Sequence, residues 1–317
     1  MKGRDHRLDS ALGIAYSWIS MLLMAAVCLF ILVTVARYGA GKLSLEFLIT
    51  EPGASAVDIE GGGILTPLIG TVLLTMLGML AALPFSLATA VYICFYARPG
   101  ALLTLVETAV DILAGVPTVV IALFSLSIFV LPQFGFLSAM IETDGDGGGM
   151  AYGRSFLVCA VTMAIMILPF VTKSIIESLR SVPGSYIDGA FALGAGKWRV
   201  VAQIALRCAR PGIVTGTVLG MGRIVGDTAI VWFALGGTLR MTGVQPWYMP
   251  ENWISTLRNT GSTLTTYIYY TSPAGEGNSF DTAFGASLVL IGMIILLNAA
   301  AALVGRAWGG GNGQDAG

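Results

Sequence analysis

The sequence predicts an all-α integral membrane protein with six transmembrane helices. Of its 317 residues, 56% are hydrophobic and only 11% are charged, whereas charged residues make up about 25% of a typical soluble domain. So few charges cannot hydrate the surface of a soluble protein of this length, and six long apolar stretches indicate a membrane instead. The formal net charge of −1 gives no basic patch for nucleic acid.

A helix needs ~20 residues to cross ~30 Å of hydrocarbon, and the lengths of the six apolar stretches are compared with this value. They cover residues 14–36, 64–97, 112–131, 156–172, 212–235 and 284–304. The first is too long for a cleaved signal peptide and is interpreted as a retained anchor. The second has 34 residues, roughly 51 Å as a helix. We expect it to tilt or bend as one element, with Pro84 as the obvious place for a break.

Lysine and arginine are concentrated on one predicted side of the membrane. The N-terminal tail and the segment between spans four and five carry Lys2, Arg4, Arg7, Lys173, Arg180, Lys197, Arg199, Arg207 and Arg210. The loops after spans one, three and five are acidic instead. Because basic loops stay in the cytoplasm, both termini are expected to be cytoplasmic.

No metal site or cofactor is predicted. The four cysteines are widely spaced and the only histidine is His6, which excludes a Cys/His zinc site. The acidic loop 144–149 lacks the alternating ligands and terminal glutamate of an EF-hand, so a solvated connector is favoured over a calcium site. The loop 236–281 is rich in tryptophan and tyrosine, which indicates the membrane interface first and a docking surface for an external partner second.

The segment 173–211 interrupts the apolar pattern and contains a short amphipathic helix. We predict that one helix ends at Pro183 and that Ser185 caps the next, which covers residues 186–193. Residues 194–196 then break the chain direction before another helix begins. The alternative is an ordinary interfacial loop whose apolar residues dip into the lipid headgroups.

Residues 195–198, Ala-Gly-Lys-Trp, do not form a phosphate-binding P-loop. That motif requires a glycine where Phe191 stands and a serine or threonine where Trp198 stands. The chain is therefore not expected to bind ATP through this segment.

The same segment resembles the EAA loop of type I ABC importer permeases, whose pattern is Glu-Ala-Ala, three residues, Gly, nine residues and Ile-x-Leu-Pro. The matching residues are Asp188, Gly189, Ala190, Gly194, Ile204, Ala205 and Leu206. Asp188 and Gly189 differ from the family's Glu and Ala, and Arg207 stands where the family has Pro. The resemblance implies a coupling helix that docks on a cytoplasmic ATPase through Tyr186, Asp188, Gly189, Ala190, Leu193 and Gly194.

Further motifs are similar to the permeases of the high-affinity phosphate importer, PstA type. They start at Gly63, Leu113, Ser181, Pro211 and Arg223 and read GILTPLIGT, LAGVPTVV, SVP, PGIVTG and RIVGDTA. The resemblance implies a MetI-like transmembrane domain with a coupling helix between spans four and five, in the bacterial inner membrane. Its implied partners are a second permease subunit, two ATP-binding subunits, an extracytoplasmic phosphate-binding protein and membrane lipid. It implies no cofactor and no catalysis by this chain.

Arg223 and Asp227 are the charges predicted to lie deep in the bilayer. A charge at that depth costs at least ~2.5–3.5 kcal/mol on insertion scales, so it must face the bundle interior, water or a partner. Four residues apart on one helix, the two share a face, which allows a private ion pair. We favour a second interpretation, in which the guanidinium fork of Arg223 binds a tetrahedral oxyanion in transit while Asp227 restrains it. The resemblance also places an arginine and an acidic residue at these positions, although the family has Glu at 227.

Small residues at Gly212, Gly216 and Gly220 form a ridge that permits close approach of another helix. The sequence leaves open whether that helix belongs to this chain or to a second permease.

Glu107 and Asp111 lie at the predicted cytoplasmic edge of span three, ahead of Pro117. We expect the two carboxylates to be mainly interfacial. A role of Asp111 and Pro117 in a gate is the alternative.

The predicted division of the chain is a cytoplasmic tail (1–13), a first span with its external loop (14–63), a transmembrane domain (64–305) with the EAA-like loop at 181–211, and a glycine-rich cytoplasmic tail (306–317). The predicted function is ATP-driven phosphate import, with this chain forming the path and coupling it to a separate ATPase. The alternatives are a permease for another oxyanion (sulfate, molybdate) or an organic solute, an ion-coupled secondary transporter, and a non-transporting scaffold or sensor. The scarcity of membrane carboxylates disfavours the secondary transporter.

Overall fold

The computed structural model describes residues 2–53, 62–141, 150–275 and 279–309. Its α-helices are α1 (Lys2–Gly39), α2 (Leu45–Ile49), α3 (Leu65–Val91), α4 (Ala101–Gly115), α5 (Thr118–Phe129), α6 (Phe156–Arg180), α7 (Gly184–Ala192), α8 (Lys197–Val200), α9 (Leu206–Gly226), α10 (Trp253–Arg258), α11 (Leu264–Thr271) and α12 (Phe280–Gly309). π-Helical turns occupy Tyr92–Tyr96, Val201–Ala205 and Val231–Leu235. A small antiparallel hairpin pairs β1 (Met140–Ile141) with β2 (Met150–Ala151), the one addition to the predicted all-α fold among these residues.

Four helical elements of the described chain are long and apolar enough to cross a membrane. They are Leu12–Lys42, Leu65–Tyr96, Phe156–Arg180 and Phe280–Ala300, and α4 with α5 makes a fifth if counted as one broken span. These elements correspond to predicted spans one, two, four, six and three. The remaining predicted span maps to α9, a 21-residue helix with three arginines and five glycines, which is not among them. A count of six spans therefore stays a prediction.

The second predicted span is one continuous element, but it does not break at Pro84. α3 passes through Pro84 to Val91 and continues into the π-helical turn that follows. Ala82 and Ser86, on either side of the proline, are fully buried, and the Ser86 hydroxyl donates to the carbonyl of Leu168 in α6 at 3.4 Å. Packing on both sides of the proline keeps the helix continuous despite the lost backbone hydrogen bond.

The third predicted span is not a straight helix over residues 112–131. α4 ends at Gly115, α5 begins at Thr118, and the two helices differ in direction by 102°. Pro117 explains the break, because its ring disfavours helical backbone at Val116, which is extended with φ −72° and ψ 127°. α5 alone, at roughly 18 Å, is shorter than the hydrocarbon core.

α6 lies at the centre of the bundle, in contact with α3, α4, α5 and α9. The hydroxyl oxygen of Ser155 begins it by accepting the Val158 N–H at 3.0 Å, an N-cap. Phe156, Met163 and Ile167 on this helix are fully buried. Phe170 of this helix contacts Arg223, the first residue of the candidate site.

The first helix is nearly separate from the bundle. No residue in the most apolar part of its Leu12–Lys42 span is buried. The C-terminal end of α1 contacts α12, where Tyr38 stacks on Phe284 at a centroid distance of 5.3 Å. Helical backbone also extends into both predicted tails, since α1 begins at Lys2 and α12 continues to Gly309. The remainder of the C-terminal tail, at 310–317, lies outside the described residues.

The glycine ridge of α9 packs against α6 of the same chain. A Cβ on Gly212 would lie 2.8 Å from the Cβ of Ser178, and one on Gly216 would lie 2.7 Å from the Cβ of Ser174. Gly222, on another side of α9, has nothing within 4 Å of such a Cβ. Of the two alternatives left by the sequence, the structure therefore assigns the ridge to packing within one chain rather than to a second permease.

Candidate functional site

Arg223 lies in the last turn of α9, beside the middle of α6. Its guanidinium carbon is 5.9 Å from the ring centroid of Phe170, a cation–π geometry. The Arg223 side chain is exposed in the single chain. The sequence predicts that Arg223 lies deep in the bilayer, where an exposed charge is costly. On that prediction, its exposure indicates that it faces a water-filled cavity or another subunit.

Asp227 does not share a helical face with Arg223, contrary to the prediction. α9 ends at Gly226, and the backbone of Asp227 is extended, with φ −79° and ψ 130°. Its Oδ1 atom accepts the N–H of Ile230 at 2.8 Å and so caps the helical stretch 229–235. The predicted fifth span is therefore broken at residues 227–228, because a short acidic side chain competes for backbone N–H groups and favours a cap over a helix interior.

The ion pair considered for Arg223 and Asp227 is also not formed. Over the ranges that the structure describes, ion pairs join Lys173 to Asp111 and Arg180 to Glu107. Neither involves Arg223 or Asp227. The carboxylate of Asp227 is used as a helix cap, and it forms no direct ion pair with Arg223.

The break after α9 is held in place by a residue of the aromatic loop 236–281. The Thr265 hydroxyl donates to the Asp227 carbonyl at 3.2 Å. Thr265 lies in the first turn of α11, whose start is fixed by a capping box between Thr263 and Thr266. Sequence reasoning missed Thr265, although the spacing of three residues between Thr263 and Thr266 is a signal for such a helix start.

The aromatic loop 236–281 divides into a packed part and an exposed part. Tyr267 is fully buried, and the half-buried Tyr270 packs on Trp232 at a centroid distance of 5.2 Å. Tyr248 and Trp253 are instead exposed. The exposed part is the one available to a membrane interface or an external partner.

The segment between α6 and α9 forms two short helices, α7 and α8, as predicted. The predicted cap at Ser185 is wrong, since α7 starts two residues earlier than expected and its N-cap position is Pro183. The φ of Pro183, −57°, suits the entry to a helix, so the proline starts α7 without a side-chain cap. After α7 the chain turns at Gly194, whose φ of +79° is a left-handed conformation that favours glycine.

α7 presents most of its side chains away from the chain. Tyr186, Asp188, Gly189, Phe191, Leu193 and Gly194 are exposed, whereas Ala190 is half-buried. Leu193 is 90% exposed. An apolar surface of this kind indicates contact with another molecule or with the membrane surface.

The candidate gate residues lie on the broken element α4–α5. Lys173 Nζ is 2.6 Å from Asp111 Oδ1, and Arg180 Nη2 is 3.8 Å from Glu107 Oε1. Both pairs line a cavity of about 240 Å³ between α4 and α6. Pro117 is at the 102° bend that follows.

Metal binding finds no support in the described part of the chain, where no group of three or more histidine, cysteine, aspartate or glutamate side chains is placed to hold an ion. The acidic loop 144–149 lies outside the described residues.

Replacing Asp227 by alanine is expected to lower the free energy of unfolding by about 1 kcal/mol, because the Ile230 N–H loses its acceptor. Asp227→Asn keeps an oxygen at the cap and removes only the charge, so its stability should stay near that of the natural chain. Thermal unfolding of the purified variants measures the difference. Equal losses in both variants would contradict the capping role.

Residues 82–308 match the family described as "Binding-protein-dependent transport system inner membrane component". The chain is 31% identical over 228 residues to the phosphate transport system permease protein PstA of Pasteurella multocida, covering 72% of this chain and 74% of that protein. It is 28% identical over 251 residues to the phosphate transport system permease protein PstC of Xylella fastidiosa, covering 76% of this chain and 72% of the relative.

The fold is similar to a chain in the crystal structure of a bacterial alginate ABC transporter in complex with an alginate pentasaccharide-bound periplasmic protein. The TM-score is 0.61 at 16% sequence identity, and the similarity covers 93% of this chain and 95% of that one. The region that matches the family includes α7, Arg223 and the break at Asp227.

Proposed function

The chain belongs to the family of binding-protein-dependent transport system inner membrane components, and we propose that it forms the translocation path of an ATP-driven phosphate importer. It is a multi-pass inner membrane protein and a transport subunit rather than an enzyme. Phosphate is supported by the relatives, which are named as phosphate permeases. The observation in the structure that carries the proposal is the exposed guanidinium group of Arg223, unpaired with Asp227, on a permease helix.

Arg223 suits a tetrahedral oxyanion because its planar donors bind two oxygens at once. A carboxylate directly beside the guanidinium would compete with phosphate for these donors. Asp227 forms no direct ion pair with Arg223, and its Oδ1 atom accepts the Ile230 N–H instead. In place of the direct restraint expected from the sequence, Asp227 fixes the start of the helical stretch 229–235, directly after the turn that carries Arg223.

In this proposal, ATP hydrolysis by other subunits drives transport. Both termini and α7 lie in the cytoplasm, which the distribution of basic residues supports. The exposed residues of α7, with Tyr186 and Leu193 foremost, dock on one of two ATP-binding subunits. A second permease completes the path, and an external phosphate-binding protein delivers the substrate.

The bend at Pro117 gives the path a place to change shape. In this proposal α4 and α5 form a gate, with Asp111 on the cytoplasmic side of the bend. When ATP binds to the ATPase, α7 moves. This movement switches access to the translocation path at Arg223.

Uptake by the reconstituted transporter tests the proposed function. Vesicles contain this chain, the second permease and the ATPase, and receive labelled phosphate with the binding protein outside. We expect uptake that requires ATP and that persists in excess sulfate or molybdate. Uptake of one of these other anions in place of phosphate, or uptake without the ATPase, would contradict it.

Gly194→Val is expected to uncouple the chain from its ATPase. A β-branched residue at a left-handed φ is strained by about 1–2 kcal/mol, so the turn after α7 should change and the helix should present its docking surface wrongly. Copurification of the ATPase with the tagged permease measures the effect. Gly196→Ala is the matched control, since Gly196 has φ −69° and open space around a Cβ. Equal recovery of ATPase with both variants would count against the docking role.

A further inference from the structure

Three cations bracket α7, and each contacts the α3–α4 part of the chain. Lys173 and Arg180 precede α7 on α6, and they pair with Asp111 and Glu107 of α4. Lys197 follows α7 at the start of α8, and its Nζ lies 4.8 Å from the ring centroid of Tyr96, in the turn that ends α3. We call these three contacts the cationic clamp.

α4 has few other attachments to the bundle. Of its 15 residues, Val110 is the one that is buried. A cavity of about 240 Å³ lies beside Val110, between the two ion pairs of α4 and the facing side of α6. The two ion pairs of the clamp are therefore among the contacts that hold α4 against α6.

α5 continues from α4 across the Pro117 bend and reaches the candidate site. It contacts both α6 and the turn Val231–Leu235. That turn belongs to the helical stretch that Asp227 caps. α7 follows α6, which carries Lys173 and Arg180, and contacts α8, which carries Lys197. Chain connections and contacts thus link α7, the clamp, α4, α5 and the helix break next to Arg223.

We infer that the cationic clamp transmits movement of α7 to the translocation site through α4 and α5. This inference rests on the proposed function and deepens it, because it adds Lys173, Arg180 and Glu107 as positioning residues for transport. In this inference α4 moves with α7. The bend at Pro117 converts this movement into a shift of α5 against Val231–Leu235.

The clamp can be broken without unfolding the chain. The Lys173 and Asp111 side chains are 47% and 64% exposed, and exposed ion pairs contribute little to stability. A defect in a charge-reversed variant therefore reports on coupling between helices rather than on folding.

Charge reversal and charge exchange test the inference in the reconstituted transporter. We expect Asp111→Lys or Lys173→Asp to lower the phosphate moved per ATP hydrolysed by up to roughly fivefold. This is the factor that corresponds to about 1 kcal/mol, the upper end for one exposed ion pair. The exchange variant, with both substitutions, should return to within about twofold of the natural protein, because the pair is rebuilt with opposite polarity. Arg98→Glu is the matched control, since Arg98 is exposed on the loop between α3 and α4 and belongs to neither ion pair.

An exchange variant as defective as the single variants, or single variants that couple normally, would overturn the inference. If the single variants fail to assemble, cysteines at 111 and 173, in a chain whose native cysteines are replaced by serine, are joined by a short bis-maleimide. Transport should survive this link, because the two helices move together, and its loss would overturn the inference. A natural complex that moves no phosphate would contradict the proposed function alone. In that case the ATPase rate tests the clamp. It should differ between the single variants and the natural protein and return in the exchange variant, and equal rates in all of them would overturn the inference.

Discussion

Arg223→Ala is expected to reduce phosphate uptake by at least about tenfold. A hydrogen bond to a charged group is worth roughly 1.5–3 kcal/mol, and about 1.4 kcal/mol corresponds to a factor of ten in binding. The loss should appear in transport and leave the amount of folded protein unchanged, because the Arg223 side chain is exposed and forms no ion pair within the described residues. Labelled phosphate uptake, normalised to permease in the membrane, measures it.

Two further substitutions show whether the guanidinium group itself is responsible. Arg223→Lys keeps the charge and loses the two-pronged geometry, so uptake should recover only in part. Leu219→Ala removes an exposed side chain one turn earlier on α9 and should leave uptake near normal. Normal uptake by Arg223→Ala would show that phosphate passes without this contact.

Gly216→Val is expected to destabilise the bundle by about 1–3 kcal/mol or more, the usual cost of overpacking. A Cβ on Gly216 would lie 2.7 Å from the Cβ of Ser174, so α9 and α6 have to move apart. The measurement is the midpoint of thermal unfolding of the purified chain in detergent, together with the amount recovered from membranes.

Gly222→Val is the matched control, because a Cβ at Gly222 meets nothing within 4 Å. The same residue change on the same helix should therefore leave the unfolding midpoint unchanged. Ser174→Gly in the Gly216→Val background should recover part of the lost stability by opening space on α6. Equal destabilisation at positions 216 and 222 would mean that the ridge does not pack on α6 as described.

Local patterns predicted a large part of the fold. Long apolar runs marked the helices that became α1, α3, α6 and α12, since apolar length alone decides whether a segment suits a bilayer. The glycines and the proline around α7 marked its bounds to within two residues. Tyr186 and Leu193, which the resemblance names as docking residues, are exposed at α7.

The candidate site was predicted less well. Arg223 was singled out because a charge in an apolar run stands out in any sequence, and its role in transport stays a prediction. The role of Asp227 was wrong, because helical spacing assumes that the helix continues, and a carboxylate after Gly226 instead caps a new one. Thr265 was missed because its contact with Asp227 joins residues 38 positions apart.

Composition and residue order by themselves established a helical membrane protein, its basic side and the helix pair between α6 and α9, because hydropathy, charge and turn residues act over a few neighbours. Tertiary structure decided the rest: the partner of the glycine ridge, the 102° bend at Pro117, the continuity of α3 through Pro84 and the separation of Asp227 from Arg223. Each of these depends on which distant side chains satisfy a backbone group or fill a space. Such contacts exist only once the helices have packed together.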